Sequence, residues 1–341
     1  MSSEKKPVRS IGVYFLALLS TYLFTSRSIW ISNVTESLHD EYFHIFRNLI
    51  HFGFRATPVF IIGNILLISI LLLGVHGIRR GKNNISILSS ILYFIPTLFN
   101  LIAGMTVLFA GLELLGVFIE RVIGVESVTR VILMHLYNVG RVFLVPYWVI
   151  LDRVAPTSTE QWNLTPIIRD FYGGFFVLLG LSISFLGVAA WINSKYEHRE
   201  LAVSGIYRLS RHPQYLGYIL WSYGMTILTT FRQHPMRYPL TPTINWVVSC
   251  LILTGMAYRE ELDLRANLSL NYGDYYHTVS MFIPFFTPIR RLIMKPFQVI
   301  WGKEYPDSVK KILVTLLVVF LVLSIPELFF KDLYFLWNPY S

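Results

Sequence analysis

Ser204 to Gly224 reads Ser-Gly-Ile-Tyr-Arg-Leu-Ser-Arg-His-Pro-Gln-Tyr-Leu-Gly-Tyr-Ile-Leu-Trp-Ser-Tyr-Gly, a polar, basic loop that runs straight into an apolar stretch through Arg211, His212 and Pro213. Pro213 suits the first turn of a helix, where a missing backbone donor costs nothing. The free amides and positive dipole end at such a start favour an anionic group, and the Arg211 fork can grip a carboxylate or phosphate in bidentate fashion. Gly217 falls on the same helix face as Pro213, with Gly224 seven residues further on. The missing side chains leave a groove on that face for a ligand or for another helix.

Outward from this stretch the chain stays apolar. Of 341 residues, 54% are hydrophobic and only 14% charged, against about 25% charged in soluble domains. A membrane is therefore the expected solvent. A crossing helix needs roughly 20 apolar residues and must satisfy its own backbone groups. Candidate spans are Ile11 to Ser26, Pro58 to Ile78, Ile85 to Ile119, Val131 to Leu151, Pro166 to Ile192, Gln214 to Phe231, Thr243 to Tyr258 and Ile312 to Phe330. Pro96 can kink or divide the long third candidate. The expected fold class is all-α, a polytopic transmembrane helical bundle of about eight spans. Ile11 to Ser26 has no clear small-residue cleavage site after it and reads as an anchor or first span. The turn-rich connection from Asp152 to Thr165 reads as a loop, with the next helix starting at Pro166; Asn163-Leu164-Thr165 within it matches a glycosylation acceptor pattern. The single cysteine, Cys250, excludes an intramolecular disulfide and a Cys-based metal cluster, and no metal site is expected.

The net charge of +9 is distributed as the positive-inside rule distributes it, and nucleic acid is not an expected partner. Basic residues crowd the loop from Lys195 to Arg211 and the stretch from Arg259 to Lys311. A two-span hairpin joins the two regions, so both face one side, read as the cytoplasm. Glu113 and Arg141 are ionisable groups at membrane depth and are expected to be paired, with each other across two helices as one arrangement.

A second polar cluster follows the hairpin: Ala257-Tyr258-Arg259-Glu260-Glu261-Leu262-Asp263-Leu264, then Asn271-Tyr272-Gly273-Asp274-Tyr275-Tyr276. Adjacent carboxylates at the end of a span are costly unless they meet cations or donors. On a helix, Glu260 and Glu261 point about 100° apart, so one can face a ligand while the other pairs with Arg259, Arg265 or Arg211. With Arg211 on the same side, they form half of a polar pocket.

Arg211-His212-Pro213-Gln214-Tyr215-Leu216-Gly217, the apolar hairpin, and Glu260-Glu261 followed by Tyr272-Gly273-Asp274-Tyr275-Tyr276 form an ordered set from about Gly174 to Pro288. It resembles the membrane methyltransferases of the isoprenylcysteine carboxyl methyltransferase family, related to phosphatidylethanolamine N-methyltransferase. The resemblance implies a multi-pass enzyme that binds S-adenosylmethionine in a cytoplasm-facing pocket, roofed by the segment after the glutamates, with a lipophilic acceptor arriving from the bilayer. Arg211 or His212 and Glu260 or Glu261 would meet the zwitterionic end of the cofactor, and Tyr207, Tyr215 or Tyr272 would line the adenosine. Pro213 and Gly217 complete the implied cofactor set; Arg211, His212 and Glu261 are the implied catalytic residues. Sterol double-bond reductases look similar over the same region and would bind NADPH instead, but they tend to separate the two acidic residues that stand adjacent here. The implied organisation is an amino-terminal group of helices over 1–152, a catalytic core over 153–290, and an amphipathic segment with a last span over 291–341.

Overall fold

The computed structural model describes residues 11–29, 57–98, 139–199, 201–230, 243–267, 275, 278–282, 300–302 and 307–329. The regular structure among these residues is helical, as the long apolar runs require. Helix α1 covers 11–29, α2 Thr57–Arg80, α3 Asn83–Leu98, α4 Val145–Val154, α5 Ser158–Tyr196, α6 Pro213–Thr230, α7 Ile244–Asn267 and α8 Val309–Phe329. Short 3-10 turns at Arg141–Leu144 and Gly205–Arg208 precede α4 and α6.

Helix α7 is the axis. Most of its residues from Ile244 to Tyr258, and Glu261 beyond them, are buried, with α2, α3, α6 and α8 packed round them. Gly81, at φ 65°, turns α2 into α3, and the amide of Lys82 closes that turn on the Gly77 carbonyl at 2.9 Å. Ser90 and Ser249 then join α3 to α7 with their hydroxyls 2.7 Å apart, the type of polar contact that holds helices together where water is absent.

Helices α5 and α6 meet backbone to backbone. A Cβ on Gly217 would overlap the Gly180 carbonyl and the Ser184 amide, and one on Gly224 would lie 2.6 Å from the Gly173 carbonyl oxygen. Of the two occupants the sequence allowed for the Pro213–Gly217–Gly224 face, another helix is the one present. Pro213 itself packs on α5, 3.1 Å from where a Cβ on Gly187 would stand.

Among the described residues, two helical segments, Asn163–Tyr196 and Val309–Pro326, are long and apolar enough to cross a membrane. Large apolar side chains face outward along α1 (Phe15, Tyr22), α2 (Ile65, Leu72), α5 (Phe171, Phe175) and α8 (Leu321, Val322). An outer surface that apolar, far beyond isolated exposed residues, marks contact with something other than water.

Two expected elements are corrected. The connection from Asp152 to Thr165 is short: α4 runs to Val154 and α5 starts at Ser158. A capping box starts it, Thr157 Oγ1 accepting from the Glu160 amide at 3.3 Å while the Thr157 amide donates to Glu160 Oε2 at 3.1 Å. The Thr157 hydroxyl, which also donates to Glu160 Oε2 at 2.7 Å, and the Thr157 amide together hold the Glu160 carboxyl below its usual range. Pro166 therefore sits inside the helix, and Asn163 is helical. The candidate span Val131 to Leu151 is interrupted at Gly140, whose φ of 90° turns the chain where a side chain would strike Val247. The ten-residue α4 beyond it is about 15 Å long, half a bilayer core. Glu113 lies outside the described residues, and with it the expected pairing to Arg141.

Candidate active site at one end of the bundle

The fold brings the Arg211 loop and the end of α7 together at the end of the bundle where α2 stops and α3 starts. Arg211 Nη2 meets Glu261 Oε1 at 3.1 Å, with both side chains almost wholly buried. His212 lies between the two carboxylates, Nδ1 at 3.3 Å from Glu260 Oε2 and Nε2 at 3.4 Å from Glu261 Oε1. The sequence left open which glutamate takes which role; here Glu261 takes the guanidinium and both share the imidazole.

Glu260 is held from its other oxygen. Tyr215, one turn into α6 and stacked on the His212 ring with 6° between planes, donates its hydroxyl to Glu260 Oε1 at 2.6 Å. Asn83 Nδ2, on the first turn of α3, donates to the same oxygen at 2.6 Å. No site residue was expected in the amino-terminal helices, and an Asn in a polar turn, here Asn83 beside Asn84, carries no signal that would mark it. Asn83→Ala removes a donor to a charged acceptor and should cost about 1.5–3 kcal/mol, measurable as a fall in the thermal midpoint, whereas a purely solvated Asn83 would leave the midpoint unchanged.

The loop is fastened from above by the segment after α7. The Arg211 amide donates to the Ser280 carbonyl at 3.0 Å and the His212 amide to Met281 at 3.2 Å, while Tyr275 donates its hydroxyl to the Tyr207 carbonyl at 2.8 Å. Phe282 covers the His212 ring at 6.3 Å. Tyr207 is buried, accepts from Gln214 Nε2 at 2.6 Å, and has its hydroxyl pushed up to about 12 by that burial. Tyr272 lies outside the described residues. Gly217 is turned toward α5 rather than toward the cluster.

Burial disfavours a charged imidazole, but its close contacts with the Glu260 and Glu261 carboxylates outweigh that, so His212 holds its proton more tightly than a free histidine. A raised folded value stabilises the protein fully below the ordinary 6.5 and loses that contribution as pH rises through the folded value. The thermal midpoint of the purified protein should therefore fall as pH is raised above that range. His212→Gln should flatten this dependence; an unchanged slope would remove His212 as its source.

The fit of a zwitterionic ligand can be judged on the cluster itself. It sets two carboxylates against one guanidinium and one imidazole. His212 Nε2 and Glu261 Oε1 are buried at ion-pair distance from each other without the alignment of a hydrogen bond. Buried polar atoms in that condition are unusual and mark a place where a further donor or acceptor is accommodated. An amino-acid group, with its ammonium and carboxylate, matches that inventory.

Residues 171–253 match the family model of the phospholipid methyltransferases. Protein-S-isoprenylcysteine O-methyltransferase A from Arabidopsis thaliana is 29% identical over 89 residues, which cover 26% of this chain and 42% of that protein. The chain thus spans less than half the length of this relative. No solved structure matches. The resemblance to the phospholipid methyltransferases therefore holds over the segment from α5 into α7, and a resemblance to an isoprenylcysteine methyltransferase stands beside it. The match to the family model includes Arg211, His212 and Tyr215 and stops short of Glu260 and Glu261.

Proposed function

We propose that this chain is a multi-pass membrane enzyme that transfers a methyl group from S-adenosylmethionine to a lipophilic acceptor of isoprenoid or phospholipid type, with its site facing the cytoplasm. The observation that carries the reading is the buried cluster of Arg211, His212, Glu260 and Glu261, adjoining a segment similar to methyltransferases. About eight spans remain the expected count, with α1, α2, α3, α5, α6, α7 and α8 as candidates. The cytoplasmic orientation is supported by the positive-inside tendency and by Arg79, Arg80, Lys82, Arg208, Arg211, Arg259 and Arg265, on the segments that meet at the cluster end.

In this reading Arg211 and Glu261 hold the amino-acid end of the cofactor, the cation toward its carboxylate and the anion toward its ammonium. Glu260, fixed by Tyr215 and Asn83, keeps His212 charged and in place. Tyr207 and Tyr275 close the wall on the side of the covering segment, and Tyr272 belongs to the same stretch of sequence. When bound, the cofactor supplies an electrophilic methyl group and leaves as a neutral thioether. The displacement needs alignment and the exclusion of water more than acid or base help. A carboxylate acceptor has no proton to lose. An amine acceptor needs a base, and His212 and Glu261 are the candidates.

The test is calorimetric titration of the purified protein in detergent with S-adenosylhomocysteine and, in parallel, with NADPH. Binding of the former alone supports the reading, and transfer assays with a farnesylated cysteine and with phosphatidylethanolamine then separate the acceptor classes. Binding of NADPH alone would assign the cluster to a lipid double-bond reductase instead.

A further inference from the structure

The last turn of α2 carries a feature that the proposed reaction does not use. His76, Arg79 and Arg80 line a cavity of about 400 Å³. Their spacing, three and four residues, puts them on one helix face, and all three are exposed. Among the described residues no carboxylate lies within ion-pair distance of any of them. Two acidic groups close to the end of α2 in the fold are engaged elsewhere: Asp263, near Gly81, pairs with Arg259 at 3.1 Å, and Glu260 meets Asn83, Tyr215 and His212.

The same face continues down the helix with a different character. Ile65, Ile68 and Leu72 are 57%, 51% and 61% exposed and fall in register with His76 and Arg80 at steps of three and four. The stripe changes from aliphatic to basic between Leu72 and His76, a rise of about 6 Å. A soluble anion would have use for the cations alone. A phospholipid has use for both parts, its acyl chains along the aliphatic stripe and its phosphate among the three cations.

We propose that the end of α2 is a binding site for the headgroup phosphate of an anionic phospholipid, held by His76, Arg79 and Arg80. The site stands whether or not the chain is a methyltransferase. It also adjoins the Gly81 turn, two residues beyond which Asn83 holds Glu260.

The experiment uses the full chain in nanodiscs of phosphatidylcholine mixed with phosphatidylglycerol, with lipids retained on ejection counted by native mass spectrometry. Wild type should enrich phosphatidylglycerol. Arg79→Gln with Arg80→Gln should lose about five-fold of that enrichment per arginine, and Arg79→Lys with Arg80→Lys should keep most of it. Arg208→Gln with Lys310→Gln removes the same charge elsewhere and should leave the enrichment intact. An equal loss in this control would reduce the effect to general attraction by a basic surface and overturn the site. Inorganic phosphate binding to lipid-free protein in detergent, with the same dependence on Arg79 and Arg80, would give the cavity to a free anion and overturn the lipid.

Discussion

Arg211→Ala and Glu261→Ala, made singly, should each lower stability by about 3–5 kcal/mol, and the double variant should recover much of that loss. The two side chains are almost wholly buried and 3.1 Å apart. Removing either strands a desolvated charge, whereas removing both strands none. Binding should behave differently. If the pair holds the two ends of an amino-acid group, S-adenosylhomocysteine affinity should fall by about two orders of magnitude in each single variant and stay low in the double variant. Chemical denaturation and calorimetry on the same three proteins separate the two effects. Stability losses that simply add would mean that Arg211 and Glu261 are not partners. Recovered binding in the double variant would mean that the pair is structural and that the ligand sits elsewhere.

The parts of this cluster that were legible in the sequence are those whose neighbours are local. Arg211-His212-Pro213 announces itself as a polar loop entering a helix, and α6 starts at Pro213. The adjacent glutamates had to find cations, and the two-span hairpin returns them to the side of Arg211. What could not be read is Asn83, because its partner lies 177 residues away and nothing in a polar turn names the carboxylate it will meet. The misread connection before α5 has a different cause. Thr157-Ser158-Thr159-Glu160 is a helix-start signature, but the surrounding Pro156 and Pro166 and the polar composition outweighed it. Proline is nonetheless accommodated inside α5. Gly140 was hidden in an apolar run for a related reason, since the contact that leaves no room for a side chain there comes from Val247 on a distant helix, a constraint that local pattern does not contain.

The glycines of α5 and α6 give the second large effect. Gly217→Ala should destabilise the protein by about 3 kcal/mol or more, at the top of the range for overpacking. The added methyl meets the Gly180 carbonyl and the Ser184 amide, which are backbone atoms and cannot swing aside. Gly174→Ala, on the same α5, meets nothing within 4 Å and should be neutral or stabilising by up to about 1 kcal/mol, the helix propensity difference between the two residues. Unfolding in a graded denaturing detergent would compare them, and equal stability of the two variants would mean that the close approach of α5 and α6 is absent in solution. The pair also distinguishes the two occupants first considered for this face. A ligand groove predicts that Gly217→Ala loses cofactor affinity in a protein of unchanged stability. Helix packing predicts that stability falls first, with affinity following as α6 shifts, because Pro213 rests on α5 at Gly187 and sets the position from which His212 and Arg211 reach the glutamates.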